Sequence, residues 1–210
     1  MTGTFWQERN KMTLNNSREL LNRIKEDLKN TLSEKRYNHS IRVMDKAIEL
    51  AKIYNEDEGI VTLTALTHDI AKEMSHEEFF QYAEQYGIEL EEIDKIATMV
   101  LHGKIGADIV KRKYGFTKEM QDAICYHTTG RPNMTMLDKI IYIADKIEEG
   151  RDHDKVKEIK KVLEKQGLDE AILYDIDNFT IHKMLEKQRI IHPYSIYTRN
   201  HILYIREKEN

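Results

Sequence analysis

Cysteine is nearly absent from this 210-residue sequence: Cys125 stands alone, which excludes an intrachain disulfide scaffold and favours a reducing cytoplasm. Proline is almost as scarce, at two, and glycine numbers only nine, so few residues are available to break helices or form tight turns. No apolar run approaches the ~18 residues a membrane span requires. The N-terminal MTGTFWQERNKM lacks the apolar stretch of a secretory signal. Strong charge of one sign is missing too. With 33 basic and 37 acidic residues the formal net charge is −4, which argues against a generally basic nucleic-acid binder but allows a local basic pocket.

What is present favours helix. Hydrophobic residues make up 40% of the chain, enough for a core that needs neither disulfide nor structural metal. The abundance of Glu, Lys, Ile and Leu predicts an all-α fold: a single domain of about ten helices over 17–210, preceded by a flexible tail over 1–16 in which Met12 is an alternative start. Ser17 reads as the N-cap of a helix to about Leu32, striped by Leu20, Leu21, Ile24 and Leu28. Further helices are expected from about Glu34 to Tyr54, Asp57 to Lys72, and Ser75 to Tyr86, the last with a Ser75–Glu78 capping box and Gly87 as its stop. A short helix near 90–101 leads to one ending at Tyr114 and another from Thr117 to about His127. The most apolar helix spans 134–148 and the most charged 150–166; two more, about 168–188 and 195–207, complete the chain. The apolar and aromatic residues of the last segment suit either the core or a homodimer interface.

Nine histidines is a high count, and several stand where polar side chains are out of place. His39 shares a helical line with Val43 and Ala47, on the buried face. His68 and Asp69 fall within the largely apolar IVTLTALTHDIAK, and Asp145 lies on the stripe of Leu137 and Ile141 in the most apolar helix. A buried, unpaired carboxylate costs several kcal/mol, and the usual compensation is a cation or a metal. A His-Asp dipeptide alone is weak evidence, and a second one, His153-Asp154, lies in the charged RDHDKVKE and reads as surface. The first differs in context. Two imidazoles and two carboxylates converging from three helices form a mixed N/O site for a divalent first-row metal.

Other residues add to this cluster. On the third helix Lys72 lies at about 40° on the wheel, between His68 and Asp69, so it leans over the expected metal. Arg36 precedes His39 by one turn, and Arg151 follows Asp145 just past Gly150. In MVLHGKIGAD, Gly103 and Gly106 beside His102 suggest close backbone approach ahead of a helix N-terminus, an anion site. His127 is followed by Thr128, Thr129, Gly130 and Arg131. Cys125 has no basic partner at suggestive spacing and reads as core.

The order His39, His68-Asp69, Asp145 resembles that of the HD-domain metallophosphohydrolases. RYNHSIRV, ALTHDIAK, LHGKIGAD, YHTTGRP, DKIIYIADKIEEGRD and HPYSIYTRN look like successive motifs of one bacterial branch, the YqeK family of symmetrical bis(5'-nucleosyl)-tetraphosphatases. The resemblance covers about residues 17–205 and implies cleavage of diadenosine tetraphosphate into two ADP. It implies that His39, His68, Asp69 and Asp145 hold a metal, iron before manganese or cobalt, and that Arg36, Lys72, His102, His127 and Arg151 contact phosphates. His102 and His127 are alternatively ligands of a second ion bridged by Asp69, or acid donors to the leaving oxygen. Asp69, while ligating, would accept the attacking water's proton, and Thr128, Thr129, Gly130 and Arg131 would help grip one ADP half. Other readings are an HD phosphohydrolase acting on a mononucleotide or cyclic dinucleotide, a di-iron oxygenase, and a metal-free helical interaction module.

Overall fold

The computed structural model describes residues 18–151 and 154–209, so the 1–16 tail, Ser17 and His153 lie outside the described residues. Helix is the only regular secondary structure among them. Helix α1 covers 18–31, with Ile24 and Leu28 of the expected stripe fully buried. Then follow α2 (Glu34–Tyr54), α3 (Glu58–Thr67), α4 (His76–Tyr86), α5 (Glu92–Ile96) and a 3-10 turn over Thr98–Val100. Next come α6 (Leu101–Tyr114), α7 (Lys118–Cys125), α8 (Met136–Ile147) and α9 (Asp154–Gln166). The chain ends with α10 (Leu168–Asp175), a π-helical turn over Ile176–Ile181, α11 (His182–Glu186) and α12 (Pro193–Glu209).

Local chemistry sets several boundaries. Ser75 and Glu78 form the expected capping box at α4, and Gly87 ends that helix at φ 65°. Thr135 and Asp138 form another box at the start of α8. Leu137, Ile140, Ile141, Tyr142, Ile143, Ala144 and Ile147 are all buried, so α8 is apolar nearly all round and must be enclosed. It is: α2, α3, α7, α9 and α10 all pack against it. A smaller core of Ala71, Phe79, Ala83, Leu101 and Ile105 joins α4 to α6. In α12 the apolar residues divide, Ile202 facing the core while Tyr197 and Tyr204 are exposed.

Two expectations need correction. The third helix stops at Thr67, and His68–Glu73 continue as turns, with Lys72 N–H bonded to Asp69 O at 2.9 Å. The apolar pattern runs on because Ala71 enters the smaller core. Gly103 and Gly106 do not precede a helix; both lie inside α6. A Cβ at Gly103 would stand 2.5 Å from Cys125 O, so its role is close packing of α6 against α7 rather than anion binding.

Candidate metal centre

Six residues from different parts of the chain meet in one cluster, each at most 7% exposed: His39 on α2, His68 and Asp69 just after α3, His102 on α6, His127 after α7, and Asp145 on α8, which lines the adjoining cavity. Asp69 lies between two groups of donors. His39, His68 and Asp69 offer ligand atoms within 4.8 Å of one another, and so do Asp69, His102 and His127. Asp145 Oδ1 joins the first group, 3.2 Å from His39 Nε2 and 3.8 Å from His68 Nε2.

Helix ends aim the imidazoles. His68 Nδ1 donates to Ala65 O (2.7 Å), His127 Nδ1 to Ile124 O (2.7 Å), and His102 Nδ1 to Met99 O (3.1 Å). A carbonyl only accepts, so Nδ1 carries the proton and each Nε2 turns a lone pair toward the centre. The last carbonyls of a helix are left free, so the ends of α3 and α7 supply partners for His68 and His127, while His102 takes Met99 O of the 3-10 turn before α6. His39 is held differently: its Nδ1 donates to the buried carboxylate of Glu148 at 3.2 Å. Glu148 also accepts from Arg42 Nε (2.6 Å) and Gly150 N–H.

These atoms fit a cation. His102 Nε2 and His127 Nε2 are 3.2 Å apart, lone pair toward lone pair, and lie 3.2 and 3.4 Å from Asp69 Oδ1. His39 Nε2, His68 Nε2 and Asp69 Oδ1 are buried with no hydrogen-bond partner. Uncompensated buried donors of this kind are the signature of a ligand site. The Lys72 ammonium, 2.9 Å from His102 Nε2 and 3.8 Å from Asp69 Oδ1, already stands where positive charge belongs.

Electrostatics agree. Burial opposes the charge on Asp69, but His68, His102 and His127 outweigh it and hold the carboxyl well below its ordinary range. Asp145 is held low against burial by Lys146, His39 and Arg151. Burial, joined by His127 and Lys72, pushes His102 down to about 4, and it lowers His127 as well. For His68 burial is overcome by Asp69 and Asp145, and its pKa rises. Burial pushes the Cys125 thiol up to about 12, which matches a core residue and not a nucleophile.

The basic residues divide. Arg36 Nη1 donates to Asp69 Oδ2 at 2.8 Å, and Arg151 Nη2 to Asp145 Oδ1 at 3.0 Å, so both reach the centre with Lys72. Thr128 and Thr129 line the cavity, and Thr128 Oγ1 is buried without a partner. Gly130 and Arg131 are not brought to it. The Arg131 guanidinium is engaged by Asp138 at 2.7 Å, and Gly130, at φ 67°, is backed by the Thr198 side chain of α12. Sequence reasoning missed Glu148 and Arg42. Glu148 sits one turn after Asp145, but the acidic pair before Gly150 reads as a solvated helix end.

A family model described as the HD domain matches residues 36–150, more than half of the chain, running from Arg36 past Asp145. The chain belongs to the HD-domain family. Within it, the protein named symmetrical bis(5'-nucleosyl)-tetraphosphatase of Staphylococcus aureus (strain NCTC 8325 / PS 47) is 36% identical over 181 residues, 86% of this chain and 93% of its own length. The protein of the same name from Bacillus subtilis (strain 168) is 36% identical over 174 residues, 82% of this chain and 92% of its own length. A crystal structure from Clostridium acetobutylicum, described as an HD superfamily hydrolase involved in NAD metabolism, superimposes with a TM-score of 0.83 at 40% identity. It covers 87% of this chain and 96% of its own. The matched span contains His68-Asp69, at the centre of a cluster suited to a divalent metal.

Proposed function

We infer that this chain is a metal-dependent phosphoanhydride hydrolase that splits diadenosine tetraphosphate symmetrically into two ADP. The observation that carries the reading is the shared carboxylate of Asp69 between two donor groups, ringed by Arg36, Lys72 and Arg151. Near-full-length relatives named for that reaction support it.

In this reading His39, His68, Asp69 and Asp145 would hold one ion, and Asp69, His102 and His127 a second. Ligation is favoured over an acid role for His102 and His127, because their Nδ1 protons are committed to backbone carbonyls and leave each Nε2 a lone pair. Iron is the ion the motif resemblance implies; manganese and cobalt suit the same mixed N/O donors. Bound divalent ions supply Lewis-acid stabilisation and a nucleophilic water near neutral pH.

The rest falls to the chain. Symmetrical cleavage requires in-line attack on a middle phosphorus, with one ADP as leaving group. Its departing oxygen belongs to a phosphate, whose second pKa is about 6, so it needs charge neutralisation more than a proton. Arg36, Lys72 and Arg151 are placed to give that neutralisation. Asp69, held charged with both oxygens facing cationic or imidazole partners, would serve to hold and orient the metal in preference to accepting a proton. We place the reaction in the cytoplasm, where the nucleotide pool and a reduced Cys125 coincide.

Chromatography of products from the metal-loaded protein and diadenosine tetraphosphate tests this reading. ADP alone is expected. Equal ATP and AMP would keep the metallohydrolase and overturn the site of attack; no turnover with iron, manganese or cobalt would overturn the substrate.

A further inference from the structure

The acidic pair at the end of α8, Glu148 and Glu149, is held by one face of α2. Glu148 is only 2% exposed, although it follows the last turn of its helix. His39 Nδ1 donates to Glu148 Oε1 at 3.2 Å, Arg42 Nε to Glu148 Oε2 at 2.6 Å, and Lys46 Nζ pairs with Glu149 at 2.9 Å. Positions 39, 42 and 46 share one side of a helix, so the register of α2 alone brings these side chains into line.

The two α2 partners of Glu148 do different work. His39 gives the carboxylate its Nδ1 proton and keeps Nε2 for the centre, so it brings a hydrogen bond and no charge. A buried carboxylate needs a cation beside it to stay ionised. Arg42 is placed to be that cation: its shortest contact is to the oxygen that His39 leaves free, and its side chain, 37% exposed, reaches Glu148 from the surface. Gly150 makes room for it. A Cβ there would stand 2.4 Å from Arg42 Nε and 2.7 Å from Cζ. Gly150 is not in the left-handed region, so its missing side chain provides space and not backbone freedom.

We propose that Arg42 is a positioning residue of the metal centre, acting from the surface through Glu148 to aim His39 Nε2. The role rests on the metal-centre reading above and not on the identity of the substrate. Charge alone would work the other way, because removing one cation favours the binding of another nearby. A loss of metal affinity on removal of Arg42 therefore reports geometry.

Chelator competition for manganese on the full chain provides the test. Arg42→Ala should weaken manganese by about tenfold, the low end of what the outer partners of a metal ligand contribute. Gly150→Ala keeps the charge but pushes the guanidinium aside, and should weaken manganese in the same direction. Because Arg42 acts through Glu148, adding Arg42→Ala to Glu148→Ala should cost nothing beyond Glu148→Ala alone. Lys46→Ala, which frees Glu149 from the same face of α2, should leave manganese affinity unchanged and so separates positioning from a general staple. Should Arg42→Ala fail to give the wild-type circular dichroism spectrum, Arg42→Met, which keeps the stem without its donors, carries the same expectation. Wild-type affinity in Arg42→Ala, losses that multiply in the double variant, or an equal loss in Lys46→Ala would overturn the role and leave the metal centre standing. A wild-type chain that binds neither manganese, cobalt nor iron would overturn both together.

Discussion

Asp69 presents its two oxygens to different partners. Oδ2 lies 2.8 Å from Arg36 Nη1, 3.7 Å from His39 and 3.5 Å from His68, while Oδ1 faces Lys72, His102 and His127. Replacing it with Ala removes a donor from both groups at once. We expect Asp69→Ala to lose bound metal and turnover together, turnover by roughly 10³-fold or more; elemental analysis beside product chromatography checks both. An Asp69→Ala protein with full metal and full activity would refute the assignment. Glu148 acts through His39, so its loss should be milder. Orienting carboxylates of this kind contribute about 10–100-fold in metal affinity. Chelator competition on Glu148→Ala should show a loss in that range, with Glu148→Gln closer to wild type because its amide oxygen still accepts from His39 Nδ1. At this scale the sequence disclosed what sat in the wrong solvent. His39, His68, Asp69 and Asp145 were legible as polar groups on apolar faces, whereas Glu148 and Arg131 were not, because their partners, His39 and Asp138, are fixed by tertiary packing and capping and not by local pattern.

Among the elements, helix ends shape the centre. His68 caps α3, His127 follows α7 by two residues, and His102 sits in the first turn of α6, each bonded to a carbonyl three residues before it. Caps and stops with a chemical signature were readable in advance: Ser75 with Glu78, Gly87 and Thr117 all mark boundaries. The end of α3 was not, since Ile70 and Ala71 prolong the apolar pattern after the backbone has left the helix. Nor was the register of α6, where Gly103 looks like a loop residue but provides a place for Cys125 O. Gly103→Ala should therefore destabilise the fold by about 1–3 kcal/mol through overpacking against backbone, despite the better helix propensity of Ala. Chemical denaturation measures this; a Gly103→Ala protein as stable as wild type would show that α6 and α7 can separate without cost.

For the whole molecule, burying four imidazoles together ties stability to pH. His102, pushed down to about 4, and His127, also lowered, stay neutral in the folded protein while unfolded imidazoles with the ordinary value of 6.5 take up protons. The unfolded state then binds more protons, so this contribution is present above about pH 6.5 and fades on acidification toward 4. His68 is raised and works in the opposite sense, its contribution present below about 6.5 and lost as pH rises through the folded value. Asp69 and Asp145, both lowered, matter only below about pH 4. With His102 pushed down to about 4, metal-free protein should melt at progressively lower temperature from pH 7 to 5; melts in chelator that stay level or rise over that interval would contradict this expectation. No helix among the described residues is long and apolar enough to cross a membrane.

The long sequence separations across the centre have a mechanical consequence. His39 and its orienting Glu148 stand 109 positions apart, and Arg36 and Asp69 33 apart. Ligands drawn from α2, α6, α8 and the ends of α3 and α7 make any ion they share a cross-link that closes several large loops in a chain with no disulfide. Tying distant segments in this way restricts the unfolded chain, and the restriction grows, though slowly, with loop length. The same ion that equips the chain for chemistry would thus do for its endurance what a covalent bridge does in a secreted protein, and taking it away would loosen the bundle at its middle and not at its rim.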